Sequence, residues 1–427
     1  MEELQQLQEH PHYALFAEQG TGKTLPVLLH ICTLLTTGAI QNALIVCPKA
    51  VAGSWVRDME KFKVVPRRLL QRCVTVVSYS YLSVKKGKQW AHPEYFHPWG
   101  CVVLDESHYI KHRTSNRAKA CIELGNLSTY RYILTGTPVG NSHWEEIWAQ
   151  YRFMDPSIFG ERYKIFEDRY CILNQFWKPY RYLHTDELQE KVFTHAYRVK
   201  KIDCLDLPDK LPPERWSVEQ AEKKLYKEMV KNYIAELDIE ATNPLTRNLK
   251  LRQLCSGFIT DEKGTVHRIK CKKPALLMEF LENWNKKLVV FAHFKQSIQD
   301  ICKVLQQRDL EYVVLDGAQR DKTVWRQFQR DSNIQVIVCQ YQTACAGIDL
   351  FAADTILFYE PTDSSQTFEQ ACDRIHRPGQ VSSCSYILLE TKGTVEKKMW
   401  DALERHRDFN DREFFGYLQE VQHGELA

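Results

Sequence analysis

Apolar residues along this chain gather in short runs, most of them unbroken, rather than in long helical stripes. In the first half the runs lie at 14–17, 43–47, 74–77, 102–104 and 132–134; in the second half they lie at 288–291, 312–315, 336–339, 355–358 and 386–389. A run that is apolar at every position suits a strand buried on both faces of a parallel sheet. The spacers between runs are long enough for crossover helices. Two such series predict two doubly wound α/β domains. The middle of the chain, 155–270, differs: strand signals are sparse there, and 217–240 is charged with Leu225, Met229, Tyr233 and Leu237 stacked at helical spacing. Leu207-Pro208 and Leu211-Pro212-Pro213 break any regular element. This middle reads as a helical insertion plus an inter-domain linker.

Composition narrows the class. The 427 residues are 44% hydrophobic and 26% charged, which fits two or three folded domains and excludes a disordered chain. The net charge is only +3, so any nucleic-acid surface must be a local patch. No apolar run reaches the roughly 18 residues of a membrane helix, and the polar start lacks a signal-peptide core, so no membrane partner is expected. The 14 cysteines show no metal-binding spacing. Cys47, Cys101 and Cys339 fall within strand-like runs and read as buried reduced thiols of a cytosolic-type compartment.

Three segments carry chemistry. The stretch from Leu15 to Thr24 includes Gly20-Thr21-Gly22-Lys23-Thr24, and it lies between a strand and a helical apolar stretch, the setting of a phosphate-binding loop. Glycines let backbone N–H groups wrap phosphates at a helix N-terminus. Lys23 would reach the β and γ phosphates and Thr24 would ligate Mg²⁺. The loop departs from the strict pattern at its first position, which is Ala17. Downstream, Asp105-Glu106-Ser107-His108 ends a buried run. Asp105 would hold Mg²⁺ and Glu106 would activate the attacking water. In the second half, Gln370 to Gln380 places Arg374 and Arg377 three apart on one helical face, where two guanidinium groups can grip a γ-phosphate. Each segment alone also fits a tight turn, a solvated strand end or a solvated helix face. It is the set, in order, that excludes these readings.

The chain resembles the Swi/Snf-type ATPases of helicase superfamily two, in the right motif order over nearly its whole length. The Gly20–Thr24 loop looks like motif I (Walker A), Leu44-Ile45-Val46-Cys47-Pro48 like motif Ia, and Asp105-Glu106-Ser107-His108 like a variant of the DEAH box. The segment Leu134-Thr135-Gly136-Thr137-Pro138-Val139-Gly140-Asn141 is similar to the family's extended motif III, and Trp148 and Asp155-Pro156 fit its continuation. The run 288–294 looks like motif IV, 343–350 like motif V, and 370–380 like motif VI.

The resemblance implies two RecA-like lobes, with the helical middle forming the family's inserted protrusions. Expected boundaries are 1–154 for the first lobe, 155–270 for insertion and linker, 271–405 for the second lobe and 406–427 for a helical tail. ATP would lie between the lobes on Gly20, Thr21, Gly22, Lys23 and Thr24, with Mg²⁺ on Thr24 and Asp105. Arg374 and Arg377 would be arginine fingers with Gln370 beside them, and Gly347 and Asp349 would couple the second lobe to nucleotide and DNA. Candidate DNA contacts are Lys49, Ser78, Tyr79 and Asn141. Few residues precede the loop, so the adenine-reading glutamine falls on Gln5 or Gln6 without a fixed register. The expected function is an ATP-dependent double-stranded DNA translocase, acting on DNA and DNA-bound proteins, as a monomer. Nothing after the second lobe resembles a targeting domain, which points to a minimal motor of bacterial, phage or plasmid type, cytoplasmic there and nuclear in a eukaryote. Two alternatives stay open: a strand-separating DNA or RNA helicase, and a nucleotide-gated DNA-binding module with little turnover.

Overall fold

The computed structural model describes residues 2–18, 20–62, 66–139, 143–174, 177–235, 244–261, 263–319, 321, 323–344 and 348–422. The chain divides into two compact units, Met1–Asp206 and Leu207–Ala427. Each is built on a six-stranded, all-parallel sheet, so the chain comprises two parallel-sheet α/β lobes.

The first sheet comprises β1 (His12–Ala17), β2 (Ala43–Cys47), β3 (Val74–Ser78), β4 (Trp99–Asp105), β5 (Ser128–Leu134) and β6 (Ala196–Val199), in the order β6-β1-β5-β4-β2-β3. The reason for the unbroken apolar runs is visible in the core. Ala14, Phe16, Leu44, Val46, Val102 and Leu104 bury one face of the sheet, while Leu15, Ala43, Ile45, Cys101 and Val103 bury the other. Neither parity of position meets water.

The second sheet comprises β7 (Glu214–Glu219), β8 (Leu288–Ala292), β9 (Tyr312–Leu315), β10 (Val336–Gln340), β11 (Thr355–Phe358) and β12 (Ser385–Lys392), in the order β7-β12-β11-β8-β10-β9. Here too alternate residues serve opposite faces: Val289, Phe291, Ile337 and Phe358 on one, Leu288, Val290, Val338 and Leu357 on the other.

The middle segment differs from expectation. Residues up to Asp206 belong to the first unit and those from Leu207 to the second. Helices Pro156–Phe159, Tyr163–Tyr170 and Thr185–Thr194, the hairpin Cys171–Leu173/Pro179–Tyr182 and β6 go to the first lobe. The second lobe takes β7, helices Lys223–Ala235 and Pro244–Cys255 and the hairpin Phe258–Thr260/Val266–Arg268. The helix read at 217–240 begins only at Lys223, because β7 runs to Glu219. Leu225 and Met229 pack where that spacing put them, whereas the Tyr233 side chain and Leu237 lie outside the described residues. Helix Asp411–Gln422 is no detached tail: Phe414, Tyr417 and Leu418 join Tyr226, Leu251 and Met399 in one core, and the Tyr226 and Tyr417 hydroxyls lie 3.0 Å apart.

Candidate active site

The loop after β1 turns on two glycines with left-handed backbone, Gly20 at φ 89° and Gly22 at φ 93°, a region where a side chain would be strained. The Thr21 hydroxyl donates to the Glu18 carbonyl at 2.8 Å, and the Glu18 carboxylate accepts from the Lys201 backbone N–H at 2.9 Å. The loop is thus laced to the segment after β6. Helix Thr24–Thr36 starts directly behind Lys23, presenting its first N–H groups to the loop. Gln19 lies outside the described residues.

Lys23 reaches the end of β4. Its Nζ is 3.2 Å from Glu106 Oε1 and 3.7 Å from Asp105 Oδ1. Burial alone would lower the lysine's pKa; the two carboxylates outweigh it and the pKa is raised. Burial pushes the Asp105 carboxyl upward, with Lys23 opposing and Glu106 adding to the rise. Asp105 is held on three sides: Oδ2 accepts from the Trp55 indole N–H at 2.8 Å, Oδ1 from the Glu106 backbone N–H at 3.0 Å, and its carbonyl from the Tyr79 hydroxyl at 2.9 Å. Glu106 has φ 53°, an uncommon left-handed conformation for a non-glycine residue. That backbone turn lets neighbouring carboxylates face the same ammonium group.

The next two residues bridge to the loop after β5. His108 Nδ1 lies 3.0 Å from Thr135 Oγ1, and Thr135 Oγ1 in turn accepts from the Thr137 N–H at 3.2 Å. His108 also lies 3.5 Å from Glu106 Oε2. This is no ion pair, because burial first, then Lys23 and Lys111, pull the imidazole's pKa down to about 3. The Ser107 hydroxyl donates to Gln150 Oε1 at 2.7 Å, and Gln150 Nε2 donates to the Pro138 carbonyl at 2.7 Å. Two side-chain bridges therefore fix Asp105–His108 to Thr135–Pro138.

In the second lobe the arginines do not share a helical face. Helix Ser365–Cys372 ends before them, and the chain turns through Asp373–Arg377 with Arg377 N–H on the Ile375 carbonyl. Arg374 is 1% exposed; its Nε donates to the Gln370 carbonyl at 2.8 Å and its NH1 to the Ile348 carbonyl at 3.2 Å. Arg377 donates from Nε to the Asp373 carbonyl at 3.0 Å and pairs with the Asp349 carboxylate. The structure so brings Asp349, Gln370, Arg374 and Arg377 together. Gln380 closes the segment, its Nε2 on the Ala353 carbonyl at 2.8 Å and its Oε1 accepting from Val381 N–H at 3.0 Å. Gly347 lies outside the described residues.

Of the surface candidates, Lys49 is exposed at the start of helix Lys49–Lys61. Ser78 caps helix Tyr79–Leu82 by accepting from the Tyr81 N–H. Tyr79 is a correction: at 2% exposure, its hydroxyl on Asp105 and its ring stacked on Tyr109, it braces the acid rather than facing solvent. Asn141 lies outside the described residues. Gln5 is exposed and bonded to Glu9 at 2.9 Å; Gln6 is half-buried. Trp55 and Gln150 escape a reading of the sequence because their partners Asp105 and Ser107 lie 50 and 43 residues away.

Residues 4–258 match the family described as SNF2-related domain, more than half the chain, and residues 272–379 match the helicase conserved C-terminal domain. The chain belongs to the SNF2-related family. It is 26% identical over 414 residues to a Mycoplasma pneumoniae protein named an uncharacterized ATP-dependent helicase, covering 90% of this chain and 38% of that protein. A Xenopus tropicalis SWI/SNF-related, matrix-associated, actin-dependent regulator of chromatin, subfamily A-like protein 1, is 26% identical, covering 91% of this chain and 41% of that protein. The SNF2-related chain thus spans about two fifths of the length of these curated relatives. A solved Sulfolobus solfataricus SWI2/SNF2 ATPase core in complex with dsDNA is 21% identical, covers 99% of this chain and 93% of its own, and superposes with a TM-score of 0.42, too low to carry an argument. The fold assignment rests on the strand orders. Both family matches, and the motif order within them, agree with membership of this family. No helix among the described residues is long and apolar enough to cross a membrane.

Proposed function

We propose that this chain is a motor that hydrolyses Mg²⁺-ATP to move along double-stranded DNA. The observation that carries the reading is the Lys23–Asp105–Glu106 cluster at the ends of β1 and β4. Lys23 and the N–H groups around Gly20, Thr21 and Gly22 bind the phosphates. Glu106 takes the proton of the attacking water. From the second lobe, Arg374 and Arg377, with Gln370, stabilise the charge that develops on the γ-phosphate, and Gly347 and Asp349 couple that lobe to nucleotide state. Mg²⁺ fits the donor set: the Thr24 hydroxyl and the Asp105 carboxylate are hard oxygen ligands, and an ammonium group already faces this acid pair. Among the described residues no group of three or more His, Cys, Asp or Glu could cage a metal alone, which suits an ion that shares its shell with phosphates and water. When bound, the ion neutralises phosphate charge.

Local charge supports a DNA track. Residues 61–93 contain no acid and eight Lys or Arg. This stretch flanks β3 with exposed Arg67, Arg68 and Arg72 on one side and the exposed hairpin of Lys85, Lys86 and Lys88 on the other. The near-neutral total conceals it. Lys49 and Ser78 would join it on phosphates, giving contacts that position without reading sequence. DNA-bound proteins in the path would be displaced, by a chain acting as a monomer.

Phosphate release measured with duplex DNA, single-stranded DNA and RNA tests the reading. Duplex DNA should stimulate most, and the stimulation should fall with a log–log salt slope of about −0.9 per neutralised phosphate. The motor should displace the third strand of a triplex and leave a forked duplex paired. Efficient fork unwinding with an untouched triplex would overturn translocation. The absence of any DNA stimulation would overturn the DNA track itself.

A further inference from the structure

The first lobe carries one feature that neither its core nor its nucleotide cluster uses. In the hairpin Cys171–Leu173/Pro179–Tyr182, Trp177 is 81% exposed and Tyr180 55% exposed. Tryptophan is among the residues that gain most from burial, so an indole left in water needs a reason. Trp177 also has φ 57°, left-handed backbone that a bulky side chain adopts only where its surroundings enforce it.

The enforcement comes from Asn174. Its carbonyl accepts from the Trp177 N–H at 3.0 Å, its Oδ1 accepts from the Lys178 N–H at 3.1 Å, and its own N–H donates to the Lys178 carbonyl at 2.9 Å. The base of the hairpin is equally fixed. Cys171 is in the core, Leu173 and Tyr182 pack against it, the Tyr182 hydroxyl bonds the Glu145 carboxylate, and the Leu183 N–H donates to the Tyr170 carbonyl at 2.9 Å. A core-anchored stem therefore holds a flat aromatic group out into solvent.

The charge around it selects the partner. Lys178 and Arg181 are exposed on the same hairpin, and no acid occurs between Asp168 and Asp186. Aromatic faces interleaved with cations suit a nucleic-acid strand, whose bases stack while its phosphates meet the cations. A protein patch of mixed charge would find no acidic counterpart here.

We propose that this hairpin is a base-stacking pin: Trp177 stacks on an unpaired base of DNA, with Lys178 and Arg181 on the flanking phosphates. The inference rests on the DNA-track reading and adds a second contact of a different kind, to bases rather than to backbone alone. Stacking needs a base that is already unpaired, so it does not require the motor to open the duplex.

The test uses the full chain and fluorescence anisotropy with two probes, a blunt duplex and the same duplex carrying a short unpaired thymidine tail. The wild-type chain should bind the tailed probe more tightly. Trp177→Ala should remove that preference, a loss of about 5- to 100-fold on the tailed probe alone. Trp177→Phe should keep most of it, and Arg181→Glu should weaken the tailed complex. Because the side chain is exposed, thermal melting should show all three variants folded. Equal binding by Trp177→Ala and wild type, or an equal loss on both probes, overturns the pin. So does changed self-association without changed DNA binding, which would make the hairpin a protein contact. Wild-type binding to blunt duplex with no preference for the tail removes the pin and leaves the motor reading standing. A preference for the tail without DNA-stimulated phosphate release does the reverse.

Discussion

The two lobes present their charged groups in different ways. In the first, side chains hold side chains: Trp55 on Asp105, Lys23 between two carboxylates, His108 on Thr135, Gln150 between Ser107 and Pro138. In the second, the described contacts of the arginines include main-chain carbonyls, at Gln370, Ile348 and Asp373, and the Asp349 carboxylate on Arg377. A side-chain network fixes the distance between reacting groups. Carbonyl contacts instead fix an arginine to the path of its own backbone. The first arrangement suits a centre where metal ligand and general base must keep their spacing. The second suits groups held by the course of their own segment.

The strongest way to break this contrast is to remove the arginines. Arg377→Ala or Arg374→Ala should lower the hydrolysis rate by roughly 10³–10⁵ while nucleotide affinity changes much less, as single-turnover hydrolysis and nucleotide titration would show. A small rate loss would mean the second lobe contributes no charge to the reaction. Glu106→Gln should cost about 10²–10⁴ in rate with ATP still bound, whereas Lys23→Ala should lose nucleotide affinity itself. Near wild-type hydrolysis by Glu106→Gln would place the general base elsewhere.

Trp55→Phe probes the side-chain network one step away. It deletes the donor to Asp105 Oδ2 and keeps an aromatic ring. The Mg²⁺ concentration for half-maximal activity should rise about 10–100-fold, the usual cost of losing a group that orients a metal ligand. An unchanged Mg²⁺ titration would reduce Trp55 to packing.

The smallest effect should appear in acid. Burial holds His108 down to about 3 and His30 to about 4, both against an ordinary 6.5. Between these values and about pH 6.5 the unfolded chain binds more protons, so stability falls as pH drops through that window. Going from pH 7 to pH 5 should remove about 2 kcal/mol per buried histidine. Urea unfolding at the two pH values measures it, and His108→Asn should flatten the dependence.

Much of this architecture was legible because it is written locally. All ten apolar runs lie within strands; eight of these are central strands, which are buried on both faces, and two, β3 and β9, are edge strands. The strands that escaped notice, β6 and β7, are interrupted by Arg198, Arg215 and Ser217, whereas the other two edge strands, β3 and β9, carry apolar runs. The phosphate loop, Asp105-Glu106 and Arg374/Arg377 could be named because each motif is contiguous. Their supports could not: Trp55 is 50 residues from Asp105, and Gln150 is 43 from Ser107. Tyr79 shows the opposite error. A tyrosine in a DNA-contact position of the pattern turned out to spend its hydroxyl inside the core. The basic stretch 61–93 was within reach of a windowed charge count but invisible to the net charge.

The bracing of Asp105 has a mechanical side. Trp55 hangs from the helix that Lys49 begins, and Tyr79 follows Ser78 at the end of β3, so two outward-facing segments are tethered to one buried residue. Neither tether has slack at 2.8 and 2.9 Å. Displacing Trp55 would break its bond to the Asp105 carboxylate, at about 1–3 kcal/mol, or drag that group along, whereas displacing Tyr79 would strain the Asp105 main-chain carbonyl. Two segments that reach the surface of this lobe thus share one buried anchor, Asp105, one through its side chain and one through its backbone.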